Sequence, residues 1–334
     1  MVPRYSLKGC HCEERSLRRH LHLAQVQVSN LLILLLILIL SGCVTAPPTP
    51  TPAPVIESTP TPRATSAPVD ASPTFVGRVR NAQYQLGTMD SLQVVQLTDG
   101  VYEAGVPGAA DYVSVNVLNF VANGDLNDDG KDEVVALVSE NYGGSGVFVF
   151  LVVYADDNGT LTFQTSLMVD DRPQVNALSI DNGEILLDVV VHGIDEPMCC
   201  PTLRSARHYL LTQINQLDMV DYVTFTPAST PRTITIEAPP TGSEVYRSVQ
   251  VRGRVAIAPF ENTLTYRIYD VGGVELAAGA INVSAPDLGA PGIFDSVIKL
   301  GNILSGAIIR LEVQDISAAD GSLLAMDSIE LVVK

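Results

Sequence analysis

Three groups of side chains in this 334-residue chain have types and spacings that could do chemistry. The first is the string Gly124-Asp125-Leu126-Asn127-Asp128-Asp129-Gly130-Lys131-Asp132-Glu133. It places oxygen-bearing side chains at alternate positions, Asp125, Asn127 and Asp129, then Glu133, with Gly130 free to turn sharply. Ca2+ takes about six to eight oxygens from a flexible loop, and such spacing can deliver them. The same string also reads as a plain β-turn with solvated acids. The second group is His192-Gly193-Ile194-Asp195-Glu196-Pro197-Met198-Cys199-Cys200-Pro201-Thr202. Outside the cytoplasm Cys199 and Cys200 are expected to oxidise, and adjacent cysteines can close a strained eight-membered ring. Pairing between molecules, a free thiol, or a metal held with His192 are the alternatives. The metal lacks further ligands at two-residue spacing, and the two prolines argue for a loop over a redox helix. The third group is Cys43 alone, at the end of an aliphatic run.

No constellation of nucleophile, base and oxyanion hole accompanies these groups. His192 and His208 are the only histidines after residue 22. Gly143-Gly144-Ser145-Gly146 is not a nucleophile elbow, and it leads into the strand-like Val147-Phe148-Val149-Phe150. A phosphate-cradling glycine loop would lead into a helix. Asp170-Asp171 before Arg172-Pro173 reads most simply as a turn.

The elements that must position these residues read as strands. The chain has no tryptophan and only 6% aromatic residues, so its cores rest on Val, Ile and Leu, which favour sheets. Apolar or alternating runs occur at 112–117, 134–138, 147–154, 161–169, 175–180 and 185–191. Asn158-Gly159 and Asn182-Gly183 part consecutive runs and predict tight antiparallel hairpins. Residues 75–225 are therefore expected to form an antiparallel β-rich domain with at most one short helix. Thr226-Pro227-Ala228-Ser229-Thr230-Pro231 marks a linker over 226–232. Beyond it, runs at 234–236, 249–255, 264–269, 276–283, 292–298, 307–313 and 328–333 predict an immunoglobulin-like β-sandwich over 233–334. The expected fold class is mainly β throughout.

The N-terminal part is chemically foreign to the rest. Residues 31–40 are ten consecutive Leu or Ile, about half the length a membrane-spanning helix needs. That length suits the apolar part of a signal peptide over 1–42. Leu40-Ser41-Gly42-Cys43 resembles the lipobox of bacterial lipoproteins. The resemblance implies cleavage before Cys43, diacylglycerol on its thiol, and a tether on the outer face of the cell membrane. The stretch before the run is long for a leader, and His11-Cys12-Glu13-Glu14-Arg15-Ser16 resembles the translation of an intergenic bacterial repeat. Translation is accordingly expected to begin nearer Val28. Residues 43–74 are rich in Pro, Thr, Ala and Ser, which favours extended polyproline II. Thirty such residues could hold a folded part up to about 90 Å from the lipid.

Charge narrows the partners. Five basic residues lie in 1–42 (Arg4, Lys8, Arg15, Arg18, Arg19) against Glu13 and Glu14, so 15 basic and 35 acidic residues follow, a net of −20. Such a surface repels phosphate backbones and argues against nucleic acid.

Two resemblances bear on the folded parts. With strands on both sides and Ala136 where an EF-hand needs an acid, the Asp125–Glu133 string looks like the calcium loop of integrin-type FG-GAP repeats, here in one copy. That resemblance implies a structural ion. The region 124–202 also resembles a domain of uncharacterised bacterial surface lipoproteins, which implies no activity. Farther on, Ile236-x-x-Pro239-x-x-Gly242, Phe260-Glu261-Asn262-Thr263-Leu264, Gly292-Ile293-Phe294 and Ala318-Ala319-Asp320-Gly321-Ser322 occur in order. Together they resemble the immunoglobulin-like domain of bacterial spore germination proteins. The GerM domain that often accompanies it is not found, so the resemblance implies the fold and a binding or spacer role, not germination. The expected function is a non-enzymatic lipoprotein of the cell envelope that contacts wall polymer or an envelope protein. The rival is a surface hydrolase or metal-dependent enzyme sited around Asp125–Glu133 and His192.

Overall fold

The computed structural model describes residues 73–88 and 93–334. The aliphatic run, Cys43 and the stretch 44–72 lie outside the described residues. Among the described residues, no helix is long and apolar enough to cross a membrane.

The chain opens with helix α1 (Pro73–Val79), then the short strands β1 (Gln83–Gln85), β2 (Val94–Gln96) and β3 (Val101–Ala104). Longer strands follow: β4 (Val113–Gly124), β5 (Glu133–Asn141), β6 (Phe148–Asp157) and β7 (Thr160–Asp171). Next come β8 (Gln174–Asp181), β9 (Glu184–Val191), β10 (Leu203–Leu211) and β11 (Leu217–Phe225). The remaining strands are β12 (Pro231–Arg232), β13 (Ile234–Ala238), β14 (Ser243–Val245), β15 (Ser248–Val255) and β16 (Thr263–Asp270). The last four are β17 (Glu275–Ser284), β18 (Gly292–Lys299), β19 (Ile308–Ile316) and β20 (Leu323–Val333). The fold is mainly β and its sheets are almost wholly antiparallel; β14 alongside β20 is a parallel pair.

Strands β3 to β7 form one five-stranded sheet in sequence order. The Asn158-Gly159 and Asn182-Gly183 hairpins close as expected, with both central residues at positive φ, which asparagine and glycine tolerate best. Strand β5 is buried from Glu133 to Glu140 because both faces of its sheet are covered. Val135 and Leu137 join Ile185, Leu187, Val189 and Tyr209 of the β8–β11 layer in one core. Val134, Ala136 and Val138 join Val79, Tyr84 and Val95 in a second core beneath α1 and the β1–β2 hairpin. Each fully buried Val or Leu contributes roughly 1.5–3 kcal/mol, so β5 and its neighbour β6 anchor this half.

The C-terminal half is a two-layer sandwich. Strands β13, β15 and β18 make one layer; β17, β16, β19 and β20 make the other. Strand β17 touches β18 only at Val283–Phe294 and Ser284–Ile293, where the two layers meet. Val249, Val251 and Val255 alternate inward from β15 against Leu264, Ile268, Leu311 and Leu331. Gly253 shares that inward face because a Cβ there would stand 2.1 Å from the Thr235 carbonyl oxygen and 2.3 Å from the Phe294 ring.

The segment 226–232, expected as a short linker, is flanked by hydrogen-bonded strands that join the two parts. Strand β11 pairs antiparallel with β20, with Asp221 opposite Asp327, Tyr222 opposite Met326 and Val223 opposite Ala325. Thr224 Oγ1 donates to the Leu324 carbonyl at 2.6 Å, and Ser328 Oγ donates to the Val220 carbonyl at 2.9 Å. The layer β8–β11 thus continues into the sandwich. Hydrophobic periodicity specifies which face of a strand is buried and carries no information about its edges, so this join has no signature in sequence.

Candidate functional site

The Asp-rich string forms the β4–β5 loop, with Asp128 and Gly130 at positive φ. Its acids fold the loop onto itself. Asp125 Oδ1 accepts the Asn127 and Asp129 N–H groups at 3.3 and 3.2 Å, and Oδ2 accepts Gly130 N–H at 2.8 Å. Asn127 Oδ1 accepts Asp129 N–H at 2.9 Å, and Asp129 Oδ1 accepts Lys131 N–H at 2.8 Å. Glu133, 3% exposed, accepts Leu126 N–H at 2.9 Å and the Asn127 side-chain amide at 3.2 Å. The Gly130 N–H, foremost among several, holds the Asp125 carboxyl below the usual carboxylate range. Burial, ahead of the charges on Asp129 and Asp125, pushes Glu133 up. Among the described residues, no three His, Cys, Asp or Glu side chains are disposed together to hold a metal ion. Asn127 and Asp129 stay exposed, and a carboxylate oxygen keeps a second lone pair after accepting one N–H. A cation could therefore approach these oxygens from solvent without breaking the turn.

His192 lies just past β9, with its side chain 6% exposed. Its backbone N–H and its ring Nδ1 both meet Asp170 Oδ2, at 2.7 and 2.9 Å. The other ring nitrogen, Nε2, is buried without a partner among the described residues. The acids beside it close turns: Asp171 accepts Val147 N–H and a forked contact from Arg172, and Glu196 accepts Gly193 N–H and Thr202 N–H. Cys199 and Cys200 are exposed free thiols. The eight-membered ring expected from the sequence is not closed here. Cys200 N–H donates to the Pro197 carbonyl at 3.1 Å, closing a turn over 197–200. A hydrogen bond with Cys199, then burial, pushes the Cys200 thiol up.

The two groups do not converge. The Asp125 carbonyl lies beside Gly183 in the β8–β9 turn, whereas His192 follows the opposite end of β9. Eight residues of strand, at about 3.3 Å each, separate them by roughly 25 Å. A single catalytic centre shared by the Asp125–Glu133 loop and His192 is excluded by that distance.

Two polar clusters stand out that no motif announces. Glu140, fully buried, accepts from the Tyr84 hydroxyl, Gly87 N–H at 2.7 Å, Thr88 N–H at 3.3 Å, Thr88 Oγ1 at 2.6 Å and the Tyr142 hydroxyl at 2.7 Å. The other is a row across four strands: Glu184 on β9, His208 on β10, Asp221 on β11 and Asp327 on β20. His208 Nδ1 meets Glu184 Oε2 at 3.0 Å, and His208, Asp221 and Asp327 are successive cross-strand neighbours.

These features define a β-rich protein with an immunoglobulin-like sandwich and no assembled catalytic centre among its described residues. Residues 233–322 match the family model Gmad2, the immunoglobulin-like domain of bacterial spore germination. No curated protein matches the chain.

Proposed function

We propose that this chain is a non-enzymatic binding lipoprotein of a bacterial envelope, tethered to the outer face of the cell membrane through Cys43. The observation that carries the reading is the match of 233–322 to the immunoglobulin-like domain family of bacterial spore germination, an argument by analogy of fold. Support for the anchor comes from the sequence: a ten-residue aliphatic run, too short to span, immediately followed by Leu40-Ser41-Gly42-Cys43. The proline-rich stretch between Cys43 and α1 serves as a stalk, and wall polymer or an envelope protein is the partner. In the oxidising exterior Cys199 and Cys200 pair with one another or with a partner thiol. Cys43→Ser is expected to shift the protein from the membrane fraction to soluble or uncleaved precursor pools. Unchanged membrane retention with normal processing rules the lipid anchor out.

Within the same reading, Asp125, Asn127 and Asp129 hold Ca2+ on the solvent side of the β4–β5 loop, backed by Glu133, as a structural ion. A ligand bound only by the folded state stabilises it by about 2.7 kcal/mol at a hundredfold excess over Kd. Added Ca2+ is therefore expected to raise the melting temperature of wild type but not of Asp125→Ala/Asp129→Ala, both measured against NaCl of equal ionic strength. The salt control is needed because any cation relieves repulsion in so acidic a chain. An equal Ca2+ shift in both proteins reduces the loop to an acidic turn.

A further inference from the structure

A cleft of about 730 Å3 opens between the β1–β2 hairpin and the start of β7, within the usual range for small-ligand sites of about 300–1,000 Å3. Its walls carry an unusual chemistry for this chain. Tyr84, 0% exposed, anchors the centre of β1 in the core, so its neighbours Gln83 and Gln85 turn their side chains outward to the cleft. Thr160 and Thr162, the exposed alternate residues at the start of β7, line the same cleft. The one cation there, Arg78, is tied to both Asp156 oxygens at 2.7 and 2.8 Å and lies 4.5 Å over the Phe75 ring. Its charge is thereby balanced by Asp156.

The amides of Gln83 and Gln85 and the hydroxyls of Thr160 and Thr162 make no hydrogen bond to another described residue. By contrast, Gln96 Nε2 across the hairpin is already used on the Asn81 and Leu97 carbonyls at 2.8 and 3.1 Å. Four uncharged side chains, each both donor and acceptor, thus face one open space beside the half-buried Phe163 ring. An anionic or cationic ligand finds no free counter-charge here. An apolar ligand would strip water from amides and hydroxyls without replacing its hydrogen bonds. Vicinal hydroxyls and acetamido groups do replace them, donor for acceptor, while the apolar face of a sugar ring can rest on the aromatic edge.

We propose that this cleft binds a short stretch of neutral, hydroxyl- and acetamido-bearing glycan. The inference deepens the binding-protein reading by assigning a ligand class to a named surface, and it does not depend on the anchor at Cys43. The test uses the full chain in detergent micelles and the N-acetylglucosamine tetramer as probe, followed by calorimetry and amide chemical shifts. The tetramer is expected to bind, to shift resonances of β1, β2 and the start of β7, and to be insensitive to salt, since no ion pair is involved. Gln83→Ala/Gln85→Ala, on the exposed face of the hairpin, is expected to weaken binding about tenfold at unchanged melting temperature. Three outcomes overturn the proposal: no binding at millimolar tetramer, equal binding by the double variant, or preference for an uncharged extended peptide that pairs with the β7 edge. Membrane fractionation of Cys43→Ser reports on the envelope reading separately, so failure of one is distinguishable from failure of the other.

Discussion

Glu140→Ala is expected to lower folding stability by about 1–3 kcal/mol, the cost of leaving a buried polar group, here chiefly the Tyr84 hydroxyl, without its partner. The mechanism is the orphaning of donors. Tyr84 and Tyr142 hydroxyls, the Thr88 hydroxyl and two backbone N–H groups all converge on this one carboxylate. An unsatisfied buried polar group costs about 1–3 kcal/mol, and water entering the space left by the side chain recovers part of the loss. The cluster also fastens the 86–88 segment to the end of β5, so its removal loosens the hairpin over the second core. Glu140→Gln separates charge from shape. It keeps one acceptor oxygen but turns an NH2 group toward donors, and it is expected to fall between wild type and alanine. Thermal melting of the three proteins is the measurement. A Glu140→Ala protein that melts with wild type would show that the cluster contributes nothing to the fold.

Neither the burial of Glu140 nor its partners are legible in the sequence. Residues 134–138 are apolar at every position and β5 is buried on both faces, so no alternation marks the face that Glu140 joins. That Tyr84, Gly87 and Thr88 supply its donors depends on how the hairpin lies on the sheet, which no local pattern states. The hairpins at Asn158-Gly159 and Asn182-Gly183 were readable because turn chemistry is local. Strand β4 proved longer than its alternating stretch at 112–117, because a register shift between Val117 and Val121 carries it through Leu118-Asn119-Phe120. Strands β10 and β11 were hidden for a different reason. Arg204, Arg207 and His208 interrupt the apolar pattern of β10, and in the structure Arg204 and His208 pair with Asp188 and Glu184 of the adjacent strand. The spacing of Asp125, Asn127 and Asp129 suits a calcium loop and a β-turn alike; that their oxygens take N–H groups of the loop itself depends on its fold, which spacing alone does not state.

Stability is expected to fall as pH rises from about 4 to 7.5 through the row at the β11–β20 join, and Asp221→Asn is expected to abolish much of that fall. Burial chiefly, with the charge of Glu184, pushes Asp221 up to about 6 against the lowering effect of His208. Burial chiefly also pushes Asp327 up to about 6, with the charges of Asp221 and Glu184 adding to it and the Ile236 and Ser328 N–H groups opposing. His208 is raised as well, first by its hydrogen bond to Glu184. The sign follows from proton counting. Between pH 4 and 6 the folded row keeps protons that unfolded aspartates release, so the stabilisation is complete below about 4 and lost as pH passes about 6. His208 acts in the same sense at higher pH, because its folded state also binds its proton more tightly than the unfolded chain. Above these values two aspartates face one another across adjacent strands, with one histidine between three carboxylates. Allowing for the screening of a half-buried row, Asp221→Asn is expected to stabilise the protein by about 1–2 kcal/mol at pH 7.5 and by almost nothing at pH 4. Carboxyls held low, such as Asp156 beside Arg78 and Asp188 beside Arg204, act in the opposite direction, losing their stabilising contribution as pH falls. They are common to both proteins and cancel in the difference between them. Asparagine at 221 has no hydrogen bond to replace, since the aspartate side chain makes none with a described residue. Chemical denaturation of both proteins at the two pH values measures the effect. An equal gain at both, or a loss at pH 7.5, would mean that the opposed aspartates do not govern how firmly the sandwich is joined to the preceding sheet.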